Sequence, residues 1–274
     1  MATFFDPKLT EKLTRVPYSV CEFVGRHRKQ GCSEGEADIF HTLLENEAGA
    51  LDLDIPSAGV FGPLVIRWEG DRIDLSKQDG FLGLPHWVES DFLKFTRCSA
   101  RGILYCEHGT VASKIRESEI WQELKLLLVS GGGVPAVHTR RFLYLLQKRF
   151  GLPVYVLADN DTWGYFIFSV LRRGSVLPHQ ELPHLKLDDV RFLGGRAGEV
   201  DRKCLIRWES TWDARLRSLR RYPCFRSKAW QIEFDAFRRQ RGKWEMAVLG
   251  NALGNPAFAL DYLGGKIARR DWLS

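Results

Sequence analysis

No apolar run in this sequence approaches the roughly 18–20 residues that a membrane-spanning helix needs, which excludes an integral helical membrane protein. The start, Met1-Ala2-Thr3-Phe4-Phe5-Asp6, lacks the basic end and apolar core of a secretory signal. The six cysteines are Cys21, Cys32, Cys98, Cys106, Cys204 and Cys224. None forms a Cys-x-x-Cys pair and none groups with histidine at zinc-ligand spacing, so neither a zinc ribbon nor a redox pair is expected. Without an export signal they read as reduced packing residues of a cytosolic protein. Internal repeats and low-complexity linkers are also missing, which excludes solenoids and beads on a flexible string.

What is present is enough chain for one large domain or two modest ones: 274 residues, 45% hydrophobic and 27% charged, a composition that suits a folded protein and not a disordered one. Net charge is +6, unevenly spread. Residues 201–274 carry 16 Lys and Arg against 8 Asp and Glu, whereas residues 1–200 carry 24 against 26. The basicity belongs to the C-terminal quarter. A local basic surface of this kind holds phosphates, although a solvated arginine-rich helical face has the same composition.

Residues 8–48 read as helical, broken between Gly25 and Gly35 by the basic cluster Arg26, Arg28 and Lys29. Ser33 followed by Glu36 forms a capping box, and Ile39, Phe40, Leu43 and Leu44 share one face of the helix to Glu47. Residues 59–75 read as a hairpin turning at Glu69-Gly70-Asp71. The order suits a winged-helix-like (CAP-like) region over residues 1–75. Beyond residue 100, apolar strands alternate with helices: strands at 102–106, 124–129 and 154–158, helices at 139–150 and 163–173, closed by Gly151 and Gly174. That alternation indicates an α/β fold with a parallel sheet over residues 76–274, ending in helices from 211.

Parallel sheets place functional groups just past the carboxyl ends of their strands. Glu107 follows the first of these strands, and Asp159 and Asp161 follow the third. Three converging carboxylates repel one another unless a cation sits between them, and Mg²⁺ is the hard cation that oxygen donors suit. Such an ion polarises a phosphoryl oxygen in phosphodiester cleavage. Gly131-Gly132-Gly133 lets a backbone approach a phosphate closely. An acid after a strand can equally be a helix N-cap, and a glycine run can be only a loop. The order strand-Glu, strand-Gly-rich loop, helix, strand-Asp-x-Asp-helix is the layout of a Toprim metal site.

Residues 140–175 carry a more specific likeness. The helix Arg140-Arg141-Phe142, the strand Gly151-Leu152-Pro153-Val154-Tyr155-Val156, the motif Asp159-Asn160-Asp161-Thr162-Trp163-Gly164 and Ser169-Val170 before Gly174-Ser175 resemble the topoisomerase VI A-subunit family, which includes the meiotic double-strand-break transesterase. Segments at 188–194, 221–225, 230–231 and 263–272 are similar to the same family. The resemblance implies a compact, stand-alone relative with Glu107, Asp159 and Asp161 as Mg²⁺ ligands. It also implies Arg140, Arg141, Arg172 and Arg173 toward double-stranded DNA, and a homodimer in which two sites face opposite strands.

The family uses a winged-helix tyrosine that attacks the phosphodiester and stays on the 5′ end. The matching stretch here is Thr14-Arg15-Val16-Pro17-Tyr18-Ser19. Tyr18 and Arg15, with Glu107, are therefore the expected catalytic residues. Tyr18 comes three residues after Arg15 where the family has four, Val16 stands in place of the frequent acid, and Ser19 occupies the usual nucleophile position. The resemblance also implies cytoplasmic, nucleoid-associated action. A partner ATPase is a further expectation, although the docking extension of the full-length family members is not found in 274 residues. Two other expectations stay open: a Toprim nuclease that needs no tyrosine, and a dimeric DNA-binding scaffold that has lost cleavage.

Overall fold

A computed structural model of the chain describes residues 58–274 apart from 69, 85–92, 175–184 and 208–210. The chain divides into two units, Met1–Pro56 and Ser57–Ser274. The helical part of the winged-helix-like region, with Arg15 and Tyr18, lies outside the described residues. The hairpin that the sequence groups with it belongs to the second unit.

Strands β1 (Gly59–Phe61), β2 (Leu64–Trp68), β3 (Asp71–Asp74), β4 (Leu82–Gly83) and β5 (Lys94–Cys98) open this unit. β2 and β3 form the expected hairpin, and β5 pairs on the other edge of β2. β1 does not join them. It enters the main sheet, antiparallel to both β4 and the strand described next as β7.

The main sheet is built from β6 (Gly102–Cys106), helices α1 (Gly109–Glu117) and α2 (Ile120–Glu123), β7 (Leu126–Ser130), α3 (Val137–Phe150), β8 (Val154–Leu157), α4 (Thr162–Arg173) and β9 (Val190–Gly194). Its order is β4-β1-β7-β6-β8-β9, and β7, β6, β8 and β9 run parallel. All five residues of β6 are buried, as a strand covered on both faces requires. Side-chain alternation sends Ile103, Tyr105, Val154 and Val156 to one face with Phe142, Leu143 and Phe168 of α3 and α4. Leu104, Cys106, Leu128 and Leu157 go to the other face with Val111, Ala112 and Ile115 of α1.

A 3-10 turn and β10 (Ile206–Arg207) lead to α5 (Thr211–Leu219), α6 (Lys228–Gln240), β11 (Gly242–Lys243), α7 (Ala247–Leu253), α8 (Pro256–Ala259) and α9 (Gly265–Arg269). This mostly helical ending, expected from the sequence, covers both faces. Trp230, Phe234 and Phe237 of α6 pack on the α4 side, and Trp244, Leu253 and Leu263 on the α1 side. No helix of the described residues is long and apolar enough to cross a membrane.

The topology opens one crevice. The chain leaves β6 through α1 on one face of the sheet, and leaves the adjacent β8 through α4 on the other. Loops that diverge from neighbouring parallel strands create a cleft just past their carboxyl ends. Glu107 follows β6 and Asp159 follows β8, so both lie at that cleft.

Candidate metal centre

Glu107 continues the ladder one residue past β6: its N–H donates to Leu157 O at 2.9 Å. Its Oε2 accepts from the Asp159 backbone N–H at 2.9 Å, which ties the two strand ends together through a carboxylate. Asp159 Oδ1 accepts from Met246 N–H at 2.7 Å, and Oδ2 lies 3.0 Å from His108 Nε2. Glu107, His108 and Asp159 each offer one ligand atom, all within 4.8 Å of one another. That set is a possible site for a divalent metal ion.

Asp161 is placed differently. Its Oδ1 accepts from Trp163 N–H at 2.8 Å and Gly164 N–H at 2.9 Å, the N-cap of α4. Its Oδ2 faces Lys243 Nζ at 3.6 Å, and that lysine also lies 3.4 Å from Glu245 Oε1. The structure shows this acid as a helix N-cap that pairs its other oxygen with Lys243, and it stands outside the set of gathered ligand atoms, which is Glu107, His108 and Asp159.

The electrostatics carry the mark of crowded like charge. Burial, then the charges of Asp159 and Asp161, push Glu107 up to about 7. Burial also raises Asp161, with Asp159 adding and the cap N–H groups and Lys243 opposing. His108 is raised to about 9, chiefly by its hydrogen bond to Asp159, against burial. Burial works against the charge of Lys243, but Asp161 and Glu245 outweigh it and raise its pKa. A buried acidic group of this composition fits a divalent cation, because the ion supplies the missing positive charge to oxygen donors already gathered.

The backbone that presents the acids is tightly constrained. A Cβ on Gly164 would sit 2.1 Å from Asp159 O, so only glycine lets the first turn of α4 approach the loop. Asn160 is fully buried; its side chain donates to Tyr165 Oη and Gly195 O and accepts from Gln240. Tyr165 in turn donates to Glu233 Oε1 at 2.8 Å. This network holds the Asp-Asn-Asp loop from behind.

The glycine run is not a free phosphate cradle. Gly131 N–H donates to Cys106 O and Gly133 N–H to Glu107 O, which occupies two of its three N–H groups. Tyr105 Oη donates to Gly133 O at 2.9 Å, and a Cβ on Gly131 would meet that hydroxyl at 2.2 Å. The run closes over the end of β6.

Most of the arginines expected at DNA serve the fold. Arg140 is 1% exposed and its Nη1 donates to Gly174 O at 2.9 Å, at the C-cap of α4. Arg173 is buried, with its guanidinium 5.8 Å over the Tyr222 ring. Arg172 Nη1 donates to Leu187 O and Asp188 O. Arg141 is partly exposed. Exposed basic side chains lie instead at Arg217, Arg221, Arg226 and Lys228, among others in the basic C-terminal quarter.

Four contributors to the centre escape the sequence reading: His108, Lys243, Glu245 and the Met246 N–H. His108 adjoins Glu107, which is a usable signal. The other three lie more than eighty residues beyond Asp159, with no local pattern to announce them.

Residues 102–267 match the family of the topoisomerase 6 A-subunit/Spo11 Toprim domain. The Type 2 DNA topoisomerase 6 A-subunit of Saccharolobus shibatae is 30% identical over 253 residues, 87% of this chain and 64% of that protein. Its counterpart in Aeropyrum pernix is 29% identical over 274 residues, covering 92% and 70%. The Meiotic recombination protein SPO11-1 of Arabidopsis thaliana is 28% identical over 211 residues, covering 72% and 57%. The chain thus spans just under two thirds of the length of the first of these relatives.

Proposed function

Because the chain belongs to the topoisomerase 6 A-subunit/Spo11 family, we propose that it breaks DNA strands with the help of a divalent cation, Mg²⁺, held by Glu107, Asp159 and Asp161. The observation that carries this reading is the meeting of Glu107 and Asp159 at the cleft between β6 and β8, with Asp161 close enough to raise Glu107. Held by these residues, the ion would offset negative charge on the phosphodiester oxygens.

The chain's own residues do the rest. The Met246 N–H and the Asn160 network hold the carboxylates in register before DNA arrives. Lys243 keeps its positive charge beside Asp161, within reach of a phosphate entering the cleft. Tyr18 is the nucleophile, and Arg15 is a further catalytic residue. The tyrosyl oxygen forms a bond to phosphorus, the bond to the 3′ oxygen breaks, and a 3′-hydroxyl leaves while the 5′ end stays on the protein. Reversal reseals the strand. Arg141, Arg217, Arg221, Arg226 and Lys228 supply phosphate contacts to double-stranded DNA at the nucleoid. A two-fold homodimer presents one such centre to each strand.

The test is incubation of the purified protein with supercoiled plasmid and Mg²⁺, then denaturation with and without protease. The expected product is cut DNA carrying covalent protein, lost in Tyr18→Phe and in Asp159→Asn. Cutting that survives Tyr18→Phe but not Asp159→Ala would identify a metal-dependent nuclease instead. Binding without any cutting would identify a scaffold.

A further inference from the structure

His108 is the least explained member of the centre. It occupies the N-cap position of α1, yet its side chain caps nothing there. Its side chain is 43% exposed, so the ring is no part of the core, but Nε2 turns inward to Asp159 Oδ2. The negative groups facing it are Asp159, Glu107 and Glu245.

The spacing is that of a coordination sphere. Metal–donor bonds of about 2.1 Å put neighbouring donors of an octahedron about 3.0 Å apart and opposite donors about 4.2 Å apart. The Nε2–Oδ2 separation is 3.0 Å, and the whole three-atom set lies within 4.8 Å. A contraction of about half an ångström gathers all three donors on one ion. His108 lies between the end of β6 and the start of α1, outside the strand itself.

We propose that His108 Nε2, once the proton it holds toward Asp159 leaves to solvent, is itself a metal ligand, and that this imidazole makes the centre prefer Mn²⁺ to Mg²⁺. The inference rests on the reading of Glu107 and Asp159 as a divalent-metal site. Mg²⁺ takes oxygen donors and gains little from a nitrogen, so it still binds through the carboxylates. First-row transition ions accept imidazole readily and gain affinity from it. His108 thereby sets which cation the centre holds when both are present.

The test uses Mn²⁺ itself on the full chain, read by pulsed electron paramagnetic resonance and by titration calorimetry. Wild-type protein should bind Mn²⁺ with a directly coordinated nitrogen visible as hyperfine coupling, and His108→Gln should lose that coupling. The same variant should bind Mn²⁺ about tenfold more weakly, with Mg²⁺ affinity changed by less than about twofold. Bound Mn²⁺ that is weakened by Asp159→Asn but shows no nitrogen coupling in the wild type would overturn the role of His108 and leave the metal centre standing. Coupling that persists in His108→Gln would do the same. Failure of Mn²⁺ and Mg²⁺ to bind at all would overturn both readings. The spectrum of the wild type decides the matter even if the variant folds poorly.

Discussion

Two buried clusters of charge sit on either side of α4, and they are built on opposite principles. At its N-terminus, Glu107, Asp159 and Asp161 crowd like charges beside His108 and Lys243, and burial plus mutual repulsion raises Glu107 to about 7. At its C-terminus, Arg140 donates to Gly174 O, Arg172 to Leu187 O and Asp188 O, and Arg173 packs over Tyr222. The guanidinium groups meet carbonyls and the negative end of a helix dipole, so their charge is answered by the fold itself. The acids cap the positive end of the same helix through Asp161 alone. A buried charge answered by the backbone is architecture. A buried group of like charges suits an ion.

The contrast makes opposite demands on mutation. Arg140→Ala should have the largest effect, a loss of about 3 kcal/mol, since it empties a buried volume and strips a helix-end carbonyl of its donor. Urea unfolding measures it, and an unchanged midpoint would place Arg140 outside the fold's support. Gly164→Ala should cost about 2 kcal/mol, because its methyl group collides with the Asp159 carbonyl. It should also weaken Mg²⁺ binding, a joint effect that Arg140→Ala should not share.

In the acidic cluster the sign reverses. Glu107→Gln keeps the acceptor for the Asp159 N–H and removes a repelled, buried charge. With chelator present at neutral pH it should stabilise the protein by about 1 kcal/mol, and in thermal unfolding no gain would argue against crowding.

The smallest effect is expected at Glu233, behind the centre. Burial raises its pKa, with the Ala197 N–H and the Tyr165 hydroxyl opposing. A carboxyl whose folded pKa is raised binds its proton more tightly in the fold, so stability falls as pH rises from the unfolded value, about 4.3, through the folded one. Glu233→Gln should flatten that fall as pH rises above the unfolded value. An identical pH profile in wild type and variant would remove Glu233 as its source.

How much of this is legible in the chain depends on range. The strand 102–106 is readable to the residue, because an uninterrupted apolar run can bury both faces only in a covered sheet. The closing glycines of α3 and α4 are equally plain, and both adopt the left-handed conformation. The sequence assigns β1 to the hairpin wrongly, since three residues, Gly59-Val60-Phe61, carry too little pattern to say which neighbour they pair with. It also turns Arg140 toward DNA, although its place on α3, three residues before Leu143, puts it on the buried face. The acids at the strand ends are visible through local order. Lys243, Glu245 and Met246 are not, because their approach to Asp159 is made by tertiary packing of the C-terminal helices.

The central claim is that Glu107 and Asp159 form a divalent-metal centre where β6 and β8 end. Titration calorimetry of Mg²⁺ into metal-stripped protein tests it most directly. The account predicts binding in the wild type that is abolished in Asp159→Asn and weakened at least about tenfold in Glu107→Gln, while Arg172→Ala binds normally. Equal Mg²⁺ binding by wild type and both carboxylate variants would contradict it.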